Sequence, residues 1–329
     1  MTRQVKFLST AAVVPGARLT DGDLDRSLGL GDGASFKATG IRSRFVSTTE
    51  TAASLAAEAC RAALEAAGLG WDDVDALVAA SATMDQALPY NAAMIHAELG
   101  LGGKRTTTFD VGASCMSFIA ALDVCSALIA VGRFRQVMMV SSDVSTFTAD
   151  RTDLKIGGLF GDGAAACLLG AADPGEASAI LATQSITLSE GVDFCRIPSG
   201  GSRFHRRTPD SNAGAFFEMT PKALYALVAK ELPGFVDRLL EKAGVTMGEI
   251  DLVVPHQASP LALKHIIRTL GIGAGKMVDI SADHGNQVGA SLPTALHHGL
   301  VGRRIPRGAK ILLLGSGAGV TIGGTVMIY

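Results

Sequence analysis

Two stretches of this chain repeat one another 176 residues apart (243 − 67 = 176). Ala67-Gly68-Leu69 with Asp73-Val74-Asp75-Ala76-Leu77-Val78 lines up, without a gap, on Ala243-Gly244-Val245 with Glu249-Ile250-Asp251-Leu252-Val253-Val254. A second block, Leu99-Gly100-Leu101, matches Leu270-Gly271-Ile272 at a shift of 171 (270 − 99 = 171). Two matched blocks in the same order indicate a duplicated fold, and 329 residues suffice for two domains of ~100–200 residues each. The join falls within residues 171–177, dividing the chain into 1–172 and 173–329. At the shift of 171, Cys115 falls on Asn286, so each half contributes one chemically interesting residue at the same place in its repeat.

Hydrophobic patterning alternates between strand and helix. Strands are predicted over 5–14, 74–80, 106–111, 137–140 and 164–169, with helices over 52–67, 91–99 and 115–131. The second half repeats the scheme, with helices over 221–243, 261–270 and 290–301 and strands over 250–254, 277–280, 311–314 and 325–329. Apolar runs on both faces of the strands argue for a covered α/β sheet. Apolar residues make up 48% of the chain and charged residues only 18%, so much surface must be hidden in the interior and in a subunit interface.

Composition excludes several function classes. The net charge is −2 and no basic block interleaves with aromatics, which argues against nucleic acid. No apolar run approaches ~20 residues, so no membrane span is expected, and the broken N-terminal patch is a poor signal peptide. Five scattered cysteines without a CxxC pair argue against disulfides and a thiolate metal site, and fit a reducing cytoplasm.

Cys115 closes the run Asp110-Val111-Gly112-Ala113-Ser114-Cys115, where a strand gives way to small residues and then to an apolar helix. A thiol at a helix N-terminus feels unpaired N–H groups and the positive end of the dipole, which favour the thiolate. Cys60, Cys125 and Cys167 read as small core residues and Cys195 as incidental. His256 follows the strand 250–254, where α/β folds place their sites, and can donate to a thioester oxygen or move a proton. Asn286, in His284-Gly285-Asn286-Gln287, offers an amide that donates without titrating, or else a helix cap. His284 has the weaker case and reads as a packing residue. Gly315-Ser316-Gly317-Ala318-Gly319 lacks the following helix of a dinucleotide site, and is better used to aim backbone N–H groups at an oxygen. Residues 189–217, with Arg203, His205, Arg206 and Arg207, form either a substrate-covering excursion or a plain solvated loop.

In combination these pieces resemble ketoacyl synthase III, the initiating condensing enzyme of fatty acid synthesis, along nearly the whole chain. The order is Cys115, then Phe160-Gly161-Asp162-Gly163-Ala164, Pro255-His256-Gln257-Ala258, His284-Gly285-Asn286 with Ala290-Ser291, and the final glycine run; Thr39-Gly40-Ile41-Arg42 also matches. The resemblance implies a thiolase fold: two similar βαβαβαββ halves in a five-layered αβαβα sandwich. It implies that Cys115 carries an acyl group, that the N–H groups of Cys115 and Ala318 hold an oxyanion, and that His256 and Asn286 activate a malonyl thioester. Leu88, Phe160, Gly317 and Gly319 would line the substrate pocket, Leu88 across a dimer interface. No cofactor is expected beyond coenzyme A or acyl-carrier-protein thioesters as substrates, and the expected partners are acyl carrier protein and a second copy in a homodimer. The family's tryptophan and two arginines that grip the coenzyme A nucleotide correspond here to Ala34, Ala38 and Leu154, and a basic carrier-protein contact to Leu261; Lys37, Lys155 or Lys264 are the candidate substitutes. Two rival readings are acyl transfer from Cys115 to a hydroxyl, amine or other nucleophile, and a non-catalytic subunit of a heterodimer.

Overall fold

The computed structural model describes residues 2–150, 152–202, 214–273 and 275–329, without the side chain of Lys155. Arg203, His205, Arg206 and Arg207 lie outside the described residues.

The strands are β1 (Val5–Val13), β2 (Ala17–Thr20), β3 (Ser43–Val46), β4 (Ala76–Ala79), β5 (Thr107–Asp110), β6 (Gln136–Asp143), β7 (Gly163–Ala171), β8 (Ala179–Thr187), β9 (Cys195–Arg196), β10 (Glu218–Met219), β11 (Leu252–Pro255), β12 (Lys310–Gly317) and β13 (Thr321–Ile328). The helices are α1 (Asp21–Leu28), α2 (Ala34–Thr39), α3 (Ala52–Ala67), α4 (Asn91–Glu98), α5 (Ser117–Ala130), α6 (Leu154–Gly157), α7 (Pro221–Ala243), α8 (Pro260–Leu270), α9 (Ser281–His284) and α10 (Ser291–His297).

Two sheets share one topology. The first runs β1-β7-β6-β4-β5, with β4, β5 and β6 mutually parallel and β7 antiparallel to β6 and β1. The second runs β8-β13-β12-β11, with the same senses. A parallel bridge from Val253 to Met277 stands where β5 stands in the first sheet. The strand predicted over 277–280 is reduced to that single bridge. β8, counterpart of β1, is absent from the sequence reading because its outer half alternates with exposed polar residues.

The sheets stack in five layers. α3 and α4 cover the outer face of the first sheet, α7 and α8 that of the second. α5 and α10 lie between them in the central core. This is the αβαβα order that the resemblance implies. α5 is apolar almost all round because it has a sheet on either side. Phe118, fully buried at its start, would cost about 3–5 kcal/mol if cut to Ala. The outer helices end alike: Gly68 and Gly244 close α3 and α7 in the left-handed region, at φ 65° and 69°. That shared stop is the first repeat visible in the sequence.

The second repeat holds at its glycines, Gly100 and Gly271 at φ 73° and 61° after α4 and α8, but its shift of 171 does not extend as far as Cys115. Ser114 and Val288 are non-glycine residues at φ 51° and 52°, and each opens a 3₁₀ turn, Ser114–Met116 and Val288–Ala290, before α5 and α10. They are 174 residues apart (288 − 114 = 174), so Cys115 corresponds to Gly289 and not to Asn286. The short helix α9, which has no counterpart before Cys115, takes up the three extra residues. α10 ends at His297 and continues as a π-helical turn, His298–Gly302, so the predicted helix over 290–301 changes its winding partway.

Candidate active site

The two strained turns face each other at the centre of the molecule. Strain of this kind costs about 1–3 kcal/mol per residue and persists only where packing over-determines it. For Val288, a β-branched residue, positive φ is the greater departure.

Cys115 lies within the first turn, just ahead of α5, and is half-buried. Ser117 fixes that turn: the Ala113 N–H donates to its Oγ at 2.9 Å, and its single hydroxyl hydrogen is shared between the carbonyls of Ser114 at 2.7 Å and Ser81 at 3.1 Å. The backbone N–H groups of Cys115 and Ala318 lie close enough to the Cys115 sulfur to favour its charged form. Gly317 abuts it, since a Cβ there would stand 3.3 Å from the Cys115 nitrogen. Gly319, at φ 120°, turns β12 into β13, so no helix follows the glycine run.

Burial opposes the expected thiolate in the resting site. Burial pushes the Cys115 thiol up to about 12, the charge of Asp143 and the nearby Cys195 add to this, and the two N–H groups offset only part of it. Cys195, read as incidental, is thus a neighbour of Cys115, buried on β9.

His256 follows β11, with its N–H on the Leu314 carbonyl at 2.8 Å, and is only 4% exposed. Its Nδ1 is buried without a partner among the described residues. Burial lowers its pKa to about 4, so the imidazole is neutral at physiological pH. A Cβ at Gly315 would come within 2.7 Å of His256 Cβ and 2.6 Å of Met116 Cε. A glycine is therefore what lets the histidine of one half close on the cysteine turn of the other.

Asn286 precedes the second turn. Its Oδ1 accepts from the Val288 N–H at 2.9 Å and from Ser291 Oγ at 3.3 Å. It acts as a local cap through oxygen, which leaves its NH₂ to donate elsewhere. Its backbone is strapped to the Phe160 segment, with Gly161 N–H on Asn286 O at 3.0 Å and Asn286 N–H on Leu159 O at 2.8 Å. Phe160 is buried against Phe217, ring centroids 5.1 Å apart. His284 packs between Phe45 and His298.

Leu88 is 83% exposed and so lines no pocket of its own chain. Ala34, Ala38 and Leu154 sit on the adjacent helices α2 and α6, with Ala38, Lys37 and Lys264 exposed. Leu261 is 75% exposed at the start of α8.

Two buried carboxylates escaped the sequence reading. Asp162 appears there only as a motif letter. It accepts from the N–H groups of Ser47, Ser145 and Thr146 and from Thr146 Oγ1, at 2.7–3.0 Å. Asp143, at the end of β6, was not singled out, although a charged residue closing an apolar strand is a legible signal. Among the described residues no helix is long and apolar enough to cross a membrane.

Comparison with known proteins places this geometry. Two family models match, 3-oxoacyl-[acyl-carrier-protein (ACP)] synthase III over residues 109–189 and its C-terminal counterpart over residues 240–329. A curated relative, beta-ketoacyl-[acyl-carrier-protein] synthase III 3 of Streptomyces coelicolor, is 30% identical over 100% of this chain and 98% of its own length. The crystal structure of 3-oxoacyl-(acyl carrier protein) synthase III from Pseudomonas aeruginosa superposes with a TM-score of 0.87 at 30% identity, covering 99% of this chain and 98% of that one. The priming beta-ketosynthase of the R1128 polyketide pathway gives 0.89 at 25% identity, over 99% and 96%.

Proposed function

This chain belongs to the 3-oxoacyl-[acyl-carrier-protein] synthase III family, and from that premise we propose that it condenses an acyl group held on Cys115 with a malonyl thioester, giving a β-ketoacyl thioester and carbon dioxide. The observation that carries the reading is that the Cys115 turn of one half meets the Val288–Ala290 turn, which follows Asn286 in the other, while the neutral His256 packs across Gly315 from Met116.

The chemistry follows from those groups. Cys115 Sγ attacks the donor thioester carbonyl, and the developing oxyanion sits against the N–H groups of Cys115 and Ala318. The donor thiol leaves with the cysteine proton, so no thiolate need accumulate beforehand. Next, the imidazole of His256 and the NH₂ of Asn286 donate to the malonyl thioester oxygen. The bond to the carboxylate breaks, its electron pair forms the enolate, and carbon dioxide departs. The enolate carbon attacks the acyl-Cys115 carbonyl, and the sulfur leaves and regains a proton.

Ala34, Ala38 and Leu154 support a donor delivered on a carrier protein, or coenzyme A held in a different way. The free edge of strand β5 and its exposed neighbours Met84, Leu88 and Tyr90 support a homodimer in which Leu88 reaches the partner's pocket. The pathway is fatty acid or related specialised biosynthesis in the cytoplasm.

The test is carbon dioxide release from a malonyl thioester by purified protein, with Cys115→Ala as control. Release that depends on acylated Cys115 supports condensation. Acyl loading followed by transfer to an amine or hydroxyl, with no release, would replace it by plain acyl transfer. Comparing acyl-coenzyme A with acyl-carrier-protein in the loading step identifies the donor.

A further inference from the structure

Asp143 is fully buried at the carboxyl end of β6, and its hydrogen bonds go to residues other than His256 and Asn286. Its two oxygens serve different elements. Oδ1 accepts from the N–H groups of Ala82 (2.9 Å) and Thr83 (2.6 Å) and from Thr83 Oγ1 (2.9 Å), all in the segment after β4. Oδ2 accepts from the Ala290 N–H at 3.0 Å, inside the turn that follows Asn286. The segment after β4 also holds the cysteine turn, through Ser117 Oγ on the Ser81 carbonyl. One carboxylate therefore ties the Asn286 turn of the second half to the same segment that anchors the Cys115 turn of the first. Gly289, the counterpart of Cys115, admits this contact: a Cβ there would lie 2.9 Å from Asp143 Oδ2.

We propose that Asp143 is a positioning residue for the reaction, setting the Asn286 arm in register with the Cys115 turn through its bond to the Ala290 N–H. The inference rests on the condensation reading and adds a residue to it. A buried carboxylate suits the task because four donors converge on it, and a neutral amide can satisfy only three.

That count gives the experiment. In Asp143→Asn, the amide oxygen keeps the three donors of Ala82 and Thr83, and the NH₂ faces the Ala290 N–H, donor against donor. The tie to the Asn286 arm is lost, and with it the charge that helps to push the Cys115 thiol up. In the full-length protein, acyl loading of Cys115, read by mass spectrometry, should be no slower than in wild type, since the lost charge only favours the thiolate. Carbon dioxide release by the acylated protein should fall by about 10²-fold, the usual cost of misplacing one oxyanion donor. Gly289→Ala pushes a methyl at the same oxygen and should reproduce the split. A crystal structure of either variant should show the Val288–Ala290 turn displaced from Asp143, with the Ala82 and Thr83 contacts intact.

Parallel loss of both half-reactions, loss of loading alone, or no change in either would overturn the proposal. So would failure of both variants to fold, which would assign Asp143 to folding. A wild type that loads but releases no carbon dioxide refutes condensation instead, and the displacement of the turn then decides the positioning role by itself.

Discussion

The side-chain oxygen of Asn286 takes the backbone N–H of Val288 at 2.9 Å, and this one bond both caps the following turn and aims the amide nitrogen away from it. A group with two functional ends has one end consumed by structure, so the other is oriented without freedom to flip.

Asn286→Ala should abolish both uses. We expect Cys115 loading to persist and carbon dioxide release to drop by about 10²–10³-fold. Asn286→Asp keeps the cap and replaces the donor by a carboxylate, so it should decarboxylate no better than Asn286→Ala while melting closer to wild type. Half-reaction assays with thermal melts separate the two.

Gly315→Ala tests the closure between the halves. The added methyl meets His256 Cβ and Met116 at under 3 Å, and the histidine Cβ cannot yield as a flexible side-chain end could. Overpacking of this kind costs about 1–3 kcal/mol. Melting should fall by several degrees and condensation should fail.

The resting thiol should be unreactive near neutrality. With Cys115 pushed up to about 12, alkylation by iodoacetamide should keep rising beyond pH 9 instead of levelling off near pH 7. A plateau below pH 8 would mean that the N–H groups of Cys115 and Ala318 outweigh burial.

Acid should weaken the fold through its buried histidines. His256 has a folded pKa of about 4 against 6.5 when unfolded. Its full contribution is present above pH 6.5 and is lost as pH falls from 6.5 through 4, because only the unfolded chain takes up the proton there. The loss amounts to about 3 kcal/mol at most. His284 shifts the same way, also chiefly through burial. Chemical denaturation between pH 7 and 4 should show this slope, and His256→Asn should flatten it.

Asp162→Ala should be among the most damaging single changes outside Cys115, His256 and Asn286. It strands the N–H groups of Ser47, Ser145 and Thr146 and the Thr146 hydroxyl without a partner in the core. Each unsatisfied buried donor costs about 1–3 kcal/mol. We expect loss of soluble protein or a melting temperature far below wild type, measured by scanning fluorimetry.

The sequence by itself determined the class of fold and the cast of side chains. Paired Ala-Gly helix stops reported the duplication because a left-handed cap needs glycine wherever it falls, and strands apolar on both faces reported covered sheets. Cys115, His256 and Asn286 were visible because each lies in a short motif shortly after a predicted strand, although α9 stands directly before Asn286. Only the tertiary structure decided how these parts meet. The repeat read at a shift of 171 placed Asn286 opposite Cys115, but α9 moves the true counterpart to Gly289, and a short insertion of that kind leaves no periodicity to detect. Burial then reversed the reading of the thiol: helix and N–H effects are local and legible, whereas desolvation depends on everything that packs around the sulfur. Asp143 and Asp162 stayed hidden for the same reason, since their hydrogen-bond donors come from segments distant along the chain.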